Sequence, residues 1–429
     1  MKRKLRAITL GCSKNTVDTE HLLGILADAY EIVPDGKADI LLINTCGFIG
    51  DAKEESVNVI LEAVQAKQQG DFGQIMVFGC LSQRYGQELR QEIPEVDGWF
   101  GARDFSPLLK ALGVGNRKAD RYFTAPGRPY AFLKISEGCD RRCSYCAIPF
   151  IRGAHRSVPI EELVEEAGNL ASRGIRELEI IAQDSTFYGL DLYRRRALAD
   201  LLKALSDVDG IEWIRIHYSY PADFPQDVIE QMASNPKICA YMDIPLQHIS
   251  DSVLSRMHRG VTGEWTRNLI AQMRAKVPGV VLRTTMIVGF PGETEDDFAQ
   301  LLDFVREERF ERLGAFTYSE EEGTYGAEHF PDDIPADVKQ QRLDALMQLQ
   351  SEISMKYNLS RVGSTVKVLV DDYSGDTLIC RSQGESPDVD GEILVKCDGE
   401  DNPASLVGKF IDVRITEADV YDLVAVRIP

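Results

Sequence analysis

Residues 136–153 read SEGCDRRCSYCAIPFIRG, and within eight positions they hold Cys139, Cys143 and Cys146 in the spacing CxxxCxxC. Two cysteines would suggest a redox dithiol and four a closed zinc site. Three thiolates can hold three irons of a cubane 4Fe-4S cluster and leave the fourth iron open. An open coordination position suits catalysis, whereas a closed one suits structure. Zinc on the same three cysteines would need a fourth ligand, for which His155 is the nearest candidate. The loop itself fits a cluster: Gly138 permits close backbone approach, Tyr145 can shield it, and Arg141, Arg142, Arg152 and Arg156 offset negative charge, although such arginines also occur on ordinary solvated loops.

Outward from the loop, AFLKISEGC reads as the strand that leads into it. Helical IEELVEEAGNLASRG follows, and then the strands IRELEIIAQD, IEWIRIHYSYP, ICAYMDIPLQH, VVLRTTMIVGFPG and RLGAFTYS, with helical stretches such as DDFAQLLDFVREE between them. Six strands in alternation with helices predict a (βα)6 partial barrel over 125–335, in which chemistry sits on loops at the carboxyl ends of the strands. The three-cysteine loop follows the first strand, where that architecture puts an active site.

Ahead of a linker containing APGRPY, residues 1–120 predict an open parallel α/β domain. LRAITLGC, ADILLINTC and QIMVFGC are strands that each end in a cysteine: Cys12, Cys46 and Cys80, 34 residues apart in both intervals. Strand ends of one sense emerge on one edge of a parallel sheet, so the three are expected to converge. Taken singly, each is equally well a small core residue. Beyond the barrel, residues 336–361 predict a polar connecting helix, and 362–429 a small β-barrel of short alternating strands. Cys239, Cys380 and Cys397 are expected to be structural.

The 429 residues include 44% hydrophobic positions, enough for two to four domains. No apolar run reaches membrane-spanning length, and MKRKLRAITLGC reads as a first strand in which Arg6 interrupts any signal-like stretch. Nine cysteines without an export signal favour a reducing compartment, hence a cytoplasmic location. A net charge of −20 disfavours broad phosphate contacts and favours a basic partner. The last 68 residues alone hold fourteen acidic against six basic side chains, a net −8.

With its CxxxCxxC loop after the first strand of a (βα)6 barrel and an aromatic residue before the third cysteine, the chain resembles the radical S-adenosylmethionine enzymes. The N-terminal cysteine trio and a C-terminal barrel similar to a TRAM domain place the resemblance among the methylthiotransferases, over nearly the whole chain. LGCSKNTVDTE, AQDSTFYG, HYSYP, DIPLQHISD and LRTTMIVGFPGET resemble the RimO branch, which modifies the β-carbon of an aspartate in small-subunit ribosomal protein twelve. The branch that modifies tRNA adenosine typically has a QSGS-like segment where this chain has LQHIS, so His248 marks the branch. One departure is RGAHRS, where an acidic residue often follows Arg-Gly, and no role passes to Ala154 or His155.

The resemblance implies two 4Fe-4S clusters. On Cys139, Cys143 and Cys146, S-adenosylmethionine is cleaved to a radical, because an unactivated sp³ carbon has no acid–base route to a C–S bond. On Cys12, Cys46 and Cys80, an exogenous sulfide is held, methylated and delivered. An electron donor is required. Gln183, Asp184, Gly289 and Gly292 are expected near the cofactor, and His248, Asp372 and Asp376 near the substrate protein, free or in a ribosome. The basic run Arg194, Arg195 and Arg196 is given no role. A tRNA substrate is disfavoured by the acidic barrel, and a noncatalytic iron–sulfur scaffold or electron carrier by two sets of three cysteines.

Overall fold

In the computed structural model, residues 2–397 and 402–428 are described. Eighteen strands form along them. The first sheet takes β1 (Arg3–Thr9), β2 (Tyr30–Ile32), β3 (Ala38–Thr45), β4 (Phe72–Gly79) and β5 (Gly98–Trp99), in the order β2-β1-β3-β4-β5. Every pairing is parallel, as helical crossovers require. The sequence suggests three of these strands; β2 and β5 are too short to show a period. Leu41 and Ile43 face one covering layer with Ile60 and Val64, while Ile40 and Leu42 face the other with Leu22 and Leu26. Burial on both faces explains why β3 reads as an unbroken apolar run.

The second sheet is also parallel throughout. β6 (Tyr130–Lys134) is its edge. The two-residue strands β7 (Ser136–Glu137) and β8 (Arg156–Ser157) flank the cysteine loop in sequence, and β9 (Glu177–Ile181), β10 (Trp213–Ile216), β11 (Ile238–Asp243), β12 (Val281–Val288) and β13 (Arg312–Thr317) follow. The order β13-β12-β11-β10-β9-β6 is the six-stranded open barrel that the sequence predicts. Helix Ala336–Arg361 then leads to a closed barrel of β14 (Thr365–Ser374), β15 (Thr377–Arg381), β16 (Ile393–Lys396), β17 (Phe410–Ala418) and β18 (Leu423–Arg427). Its core is the inward set Val368, Val370, Leu378, Cys380, Ile393 and Val413.

Contacts group the chain into two compact units. One is the chain through Pro126 with Glu137–Arg141 and Cys146–Arg156; the other is Gly127–Ser136, Arg142–Tyr145 and everything from Ser157 on. The closed barrel and the six-stranded sheet therefore belong to one unit. Within it, Trp213 packs edge-on against Phe410 at 4.8 Å between ring centroids, beside Cys239 and Leu369. Arg215 Nη1 donates to the Gln383 carbonyl at 2.7 Å, and Tyr241 OH to Asp390 at 2.7 Å. Among the described residues, no helix is long and apolar enough to cross a membrane.

Candidate active site

Because β1, β3 and β4 are neighbours of one sense, the segments leaving their carboxyl ends lie side by side. Cys46 follows Thr45 directly, Cys80 follows Gly79 and opens helix Cys80–Glu92, and Cys12 stands just before helix Ser13–Leu26. Side-chain amides tie these segments together. Asn15 Nδ2 donates to the carbonyls of Leu10 and Thr45 at 2.8 and 3.2 Å, Asn44 Nδ2 donates to Asn15 O at 2.9 Å, and Ser56 bonds both the N–H and the carbonyl of Cys46. Gly11, at φ +87°, is needed here, since a Cβ on it would stand 2.9 Å from Cys46 Sγ.

The thiols sense one another. Burial raises the Cys46 pKa, and nearby Cys12 adds to the rise; burial pushes Cys80 up to about 11, with Cys12 and Cys46 adding and Arg152 opposing. As free thiols Cys46 and Cys80 stay protonated, and a bound cationic metal centre would turn them into thiolates. Arg152 brings positive charge to Cys80, although two carboxylates already balance it. Its guanidinium is 2% exposed, and Nε lies 3.2 Å from Cys80 Sγ; Nη1 pairs with Asp18 at 2.6 Å and Glu137 at 3.2 Å, and Nη2 donates to Asn15. The sequence suggests that Arg152 serves Cys139, Cys143 and Cys146; the structure turns it to Cys80. No three His, Cys, Asp or Glu side chains among the described residues are grouped as a single ion would need. Ligands of one zinc ion, each at about 2.3 Å, crowd together, whereas thiolates on separate corners of a cubane do not have to. The soft, thiolate-only donor set fits an iron–sulfur cluster.

Cys139, Cys143 and Cys146 are all half-buried on the loop after β6. Cys139 N donates to Gly153 O at 3.1 Å, and His155 N to Asp140 at 3.0 Å. In the second unit, Ser144 holds the loop with N–H to Met257 O at 3.0 Å and Oγ to Arg256 O at 2.7 Å. Cys143 Sγ lies 3.5 Å from Arg259 Nη1 and 3.9 Å from Tyr220 OH. Tyr145 packs edge-on against Phe290 in a cluster with Val253, Met257 and Tyr318. Arg259 and Tyr220 are functional candidates that the sequence does not single out: Tyr220 lies inside HYSYP, and nothing local marks Arg259.

The remaining expected residues sit on loops after β9, β11 and β12 or in the closed barrel. Asp184 is buried and spends its carboxylate as the cap of Ser185–Phe187, accepting from Thr186 N at 3.0 Å and Thr186 Oγ1 at 2.7 Å. Gln183, beside it, is half-buried. Gly289 and Gly292 have left-handed φ of +71° and +73°, and the space a side chain would take is filled by Lys339 and Arg256. His248 is fully buried, with Nδ1 accepting from Ser250 N at 3.0 Å and Nε2 3.7 Å from Glu293. Burial lowers its pKa to about 4, and burial raises Glu293 to about 7 although Arg342 lies 2.9 Å away. Asp372 and Asp376 are exposed, the latter 3.7 Å from Lys396.

A cysteine trio of this spacing on the loop that follows the first strand of a six-stranded parallel sheet defines a radical S-adenosylmethionine enzyme, a class that works through an iron–sulfur cluster and S-adenosylmethionine. Residues 133–305 match the Radical SAM superfamily, 362–428 the TRAM domain, and 4–101 Uncharacterized protein family UPF0004. Ribosomal protein uS12 methylthiotransferase RimO of Bacteroides fragilis is 50% identical over 99% of both chains, and that of Flavobacterium johnsoniae 50% identical over 98% of this chain and 97% of its own. The chain belongs to the RimO family of radical S-adenosylmethionine methylthiotransferases. Solved structures agree in fold alone. The methyltransferase TsrM of Kitasatospora setae has a TM-score of 0.58 at 14% identity, covering 76% of this chain and 74% of that one; the radical enzyme OxsB has 0.51 at 14%, covering 82% and 56%.

Proposed function

We propose that this enzyme places a methylthio group on the β-carbon of an aspartate in ribosomal protein uS12, using one 4Fe-4S cluster on Cys139, Cys143 and Cys146 and a second on Cys12, Cys46 and Cys80. The substrate protein is the one in the names of its relatives. The observation that carries the two-cluster reading is the meeting of Cys12, Cys46 and Cys80 at adjacent strand ends beside the buried Arg152, in a chain that already has a CxxxCxxC loop. When bound, the clusters and S-adenosylmethionine supply the one-electron chemistry that opens an unactivated C–H bond and the sulfur that replaces the hydrogen. The protein's part is to hold and orient. Asn15, Asn44 and Ser56 fix the loops of the first trio, Ser144 and Tyr145 anchor the second, and Arg152 and Arg259 set positive charge against sulfur.

Exposed Asp372 and Asp376 form a docking face for a basic ribosomal protein, free or assembled, and the work is cytoplasmic. A tRNA substrate would want cations where this barrel carries acids. A plain electron carrier would need neither open-iron trio. The test is peptide mass analysis of uS12 after anaerobic reaction, with anticodon-stem tRNA as the rival substrate. One methylthio group on the aspartate peptide is expected; its absence together with modified tRNA would overturn the assignment. Cys46→Ala should keep some S-adenosylmethionine cleavage and lose sulfur insertion, while Cys143→Ala should lose both.

A further inference from the structure

Arg259 is 4% exposed, and among the described residues its guanidinium meets only neutral partners. Nη2 donates to the Pro245 carbonyl, Nη1 reaches Tyr145 OH at 3.4 Å and Cys143 Sγ at 3.5 Å, and the plane stacks on Tyr220 at 4.2 Å from the ring centroid. Nε has no hydrogen-bond partner. Other buried arginines of the same unit are matched by carboxylates: Arg215 by Glu177, Arg342 by Glu293, Arg312 by Glu385 and Arg381 by Asp371. A buried cation without a counter-ion is costly, and it persists only where negative charge arrives from elsewhere. The backbone bends to put it there. His258 and Gly260, on either side, both take left-handed φ, +56° and +66°, and for His258 that is a strained choice.

We propose that Arg259 is a positioning residue that acts through Cys143: it donates a hydrogen bond to the ligand sulfur and raises the reduction potential of the cluster on Cys139, Cys143 and Cys146. The inference rests on the reading of that trio as cluster ligands. Reduction adds one negative charge to the cluster. A fixed guanidinium at hydrogen-bonding range of a ligand sulfur stabilises the reduced form more than the oxidised one, and hydrogen bonds to sulfur are among the factors that set such potentials. Lysine keeps the charge but loses the fork that reaches Tyr145, Pro245 and the sulfur together.

The test is a redox titration of anaerobically reconstituted full-length protein, followed by electron paramagnetic resonance, with the signal of this cluster assigned by its loss in Cys143→Ala. Arg259→Gln should retain its iron and titrate at lower potential, by at least a tenfold change in the reduced-to-oxidised ratio at fixed poise, which is about 59 mV for one electron. Arg259→Lys should fall between Gln and the wild type, and the signal of the cluster on Cys12, Cys46 and Cys80 should not move. A full-iron Arg259→Gln protein with the wild-type potential overturns the proposal. So does loss of the cluster in both variants, which is what a residue needed only for folding would give. A wild-type protein that takes up no cluster on this trio overturns the underlying reading instead.

Discussion

Glu385 joins the closed barrel to the six-stranded sheet, and Glu385→Gln is the sharpest test of how firmly. The carboxylate is 1% exposed and accepts from Arg312 at 2.9 Å, from Arg361, and from Ser382 N and Oγ at 3.0 and 2.6 Å. Burial alone would raise its pKa from 4.5, but the two arginines prevail and hold it at about 2. That gap is worth about 3 kcal/mol. Removing one member of a buried ion pair independently predicts a cost of about 3–5 kcal/mol, because Arg312 and Arg361 remain buried without their counter-charge. The assay is urea unfolding followed by Trp213 fluorescence, with Trp99 and Trp265 changed to Phe so that the ring packed on Phe410 reports alone. A local probe is needed because a chain of several domains need not unfold in one step. At a slope of about 3 kcal/mol per molar, the Trp213 midpoint should fall by about 1 M urea. Arg306→Ala, which breaks an exposed pair with Asp303, should cost no more than about 0.5 kcal/mol. The sign with pH follows from the lowered pKa: the stabilisation is full above 4.5 and is lost as pH falls toward 2, a dependence the Gln variant should lack. A midpoint within about 0.3 M of the wild type, or no lower than that of the Arg306 control, would refute the reasoning.

Iron analysis of anaerobically reconstituted protein should give about eight irons per chain, and about half that after alanine replaces either whole trio; about four in the intact protein would refute the two-cluster reading. Asp372→Lys with Asp376→Lys should raise the apparent KM for uS12 several-fold at low salt, with the difference shrinking as salt rises, while S-adenosylmethionine cleavage without substrate stays constant. At His248 and Glu293 two slopes oppose each other. His248 contributes stability above 6.5 that is lost as pH falls toward about 4, whereas Glu293, raised to about 7, gives stability at low pH that is lost between 4.5 and 7. His248→Gln should therefore unmask a protein that melts higher at pH 5 than at pH 7, and an unchanged pH profile of the melting temperature would count against the pair.

What the chain discloses in advance is what is written locally. Alternating runs gave all six strands of the second sheet, and a cysteine just after each of β1, β3 and β4 was enough to foresee convergence, because parallel neighbours must end together. Long-range partners were hidden. Nothing near Gly289 in sequence announces that Lys339, fifty residues later, fills the side where its Cβ would stand. His248 follows Gln247, whose φ of +74° turns the chain and carries the imidazole inward. Asp371 reads as one more surface acid beside Asp372. A bulge in the pairing of β14 with β15, between Val370 and Asp372, leaves it unpaired in the ladder, and it turns to Arg381 instead. No sequence period announces a bulge.

These hidden pairings also change what the net charge means. Arg215 with Glu177 and Arg312 with Glu385 pair inside the protein, so each pair takes one cation and one acid away from the surface and leaves the net charge of −20 unchanged. Among the described residues, seven arginines, Arg215, Arg312 and Arg381 among them, are buried and therefore not available for phosphate. Two kinds of charge remain to act on chemistry. Surface acids such as Asp372 would, in the proposed docking, act at long range on the encounter with a basic protein and be screened by salt. Arg152 and Arg259 work at contact on Cys80 and Cys143, where buried geometry keeps salt from screening them. Variants of the first kind should therefore change rates that depend on ionic strength, and variants of the second kind should change properties that do not, which makes recruitment and redox tuning separable in one set of measurements.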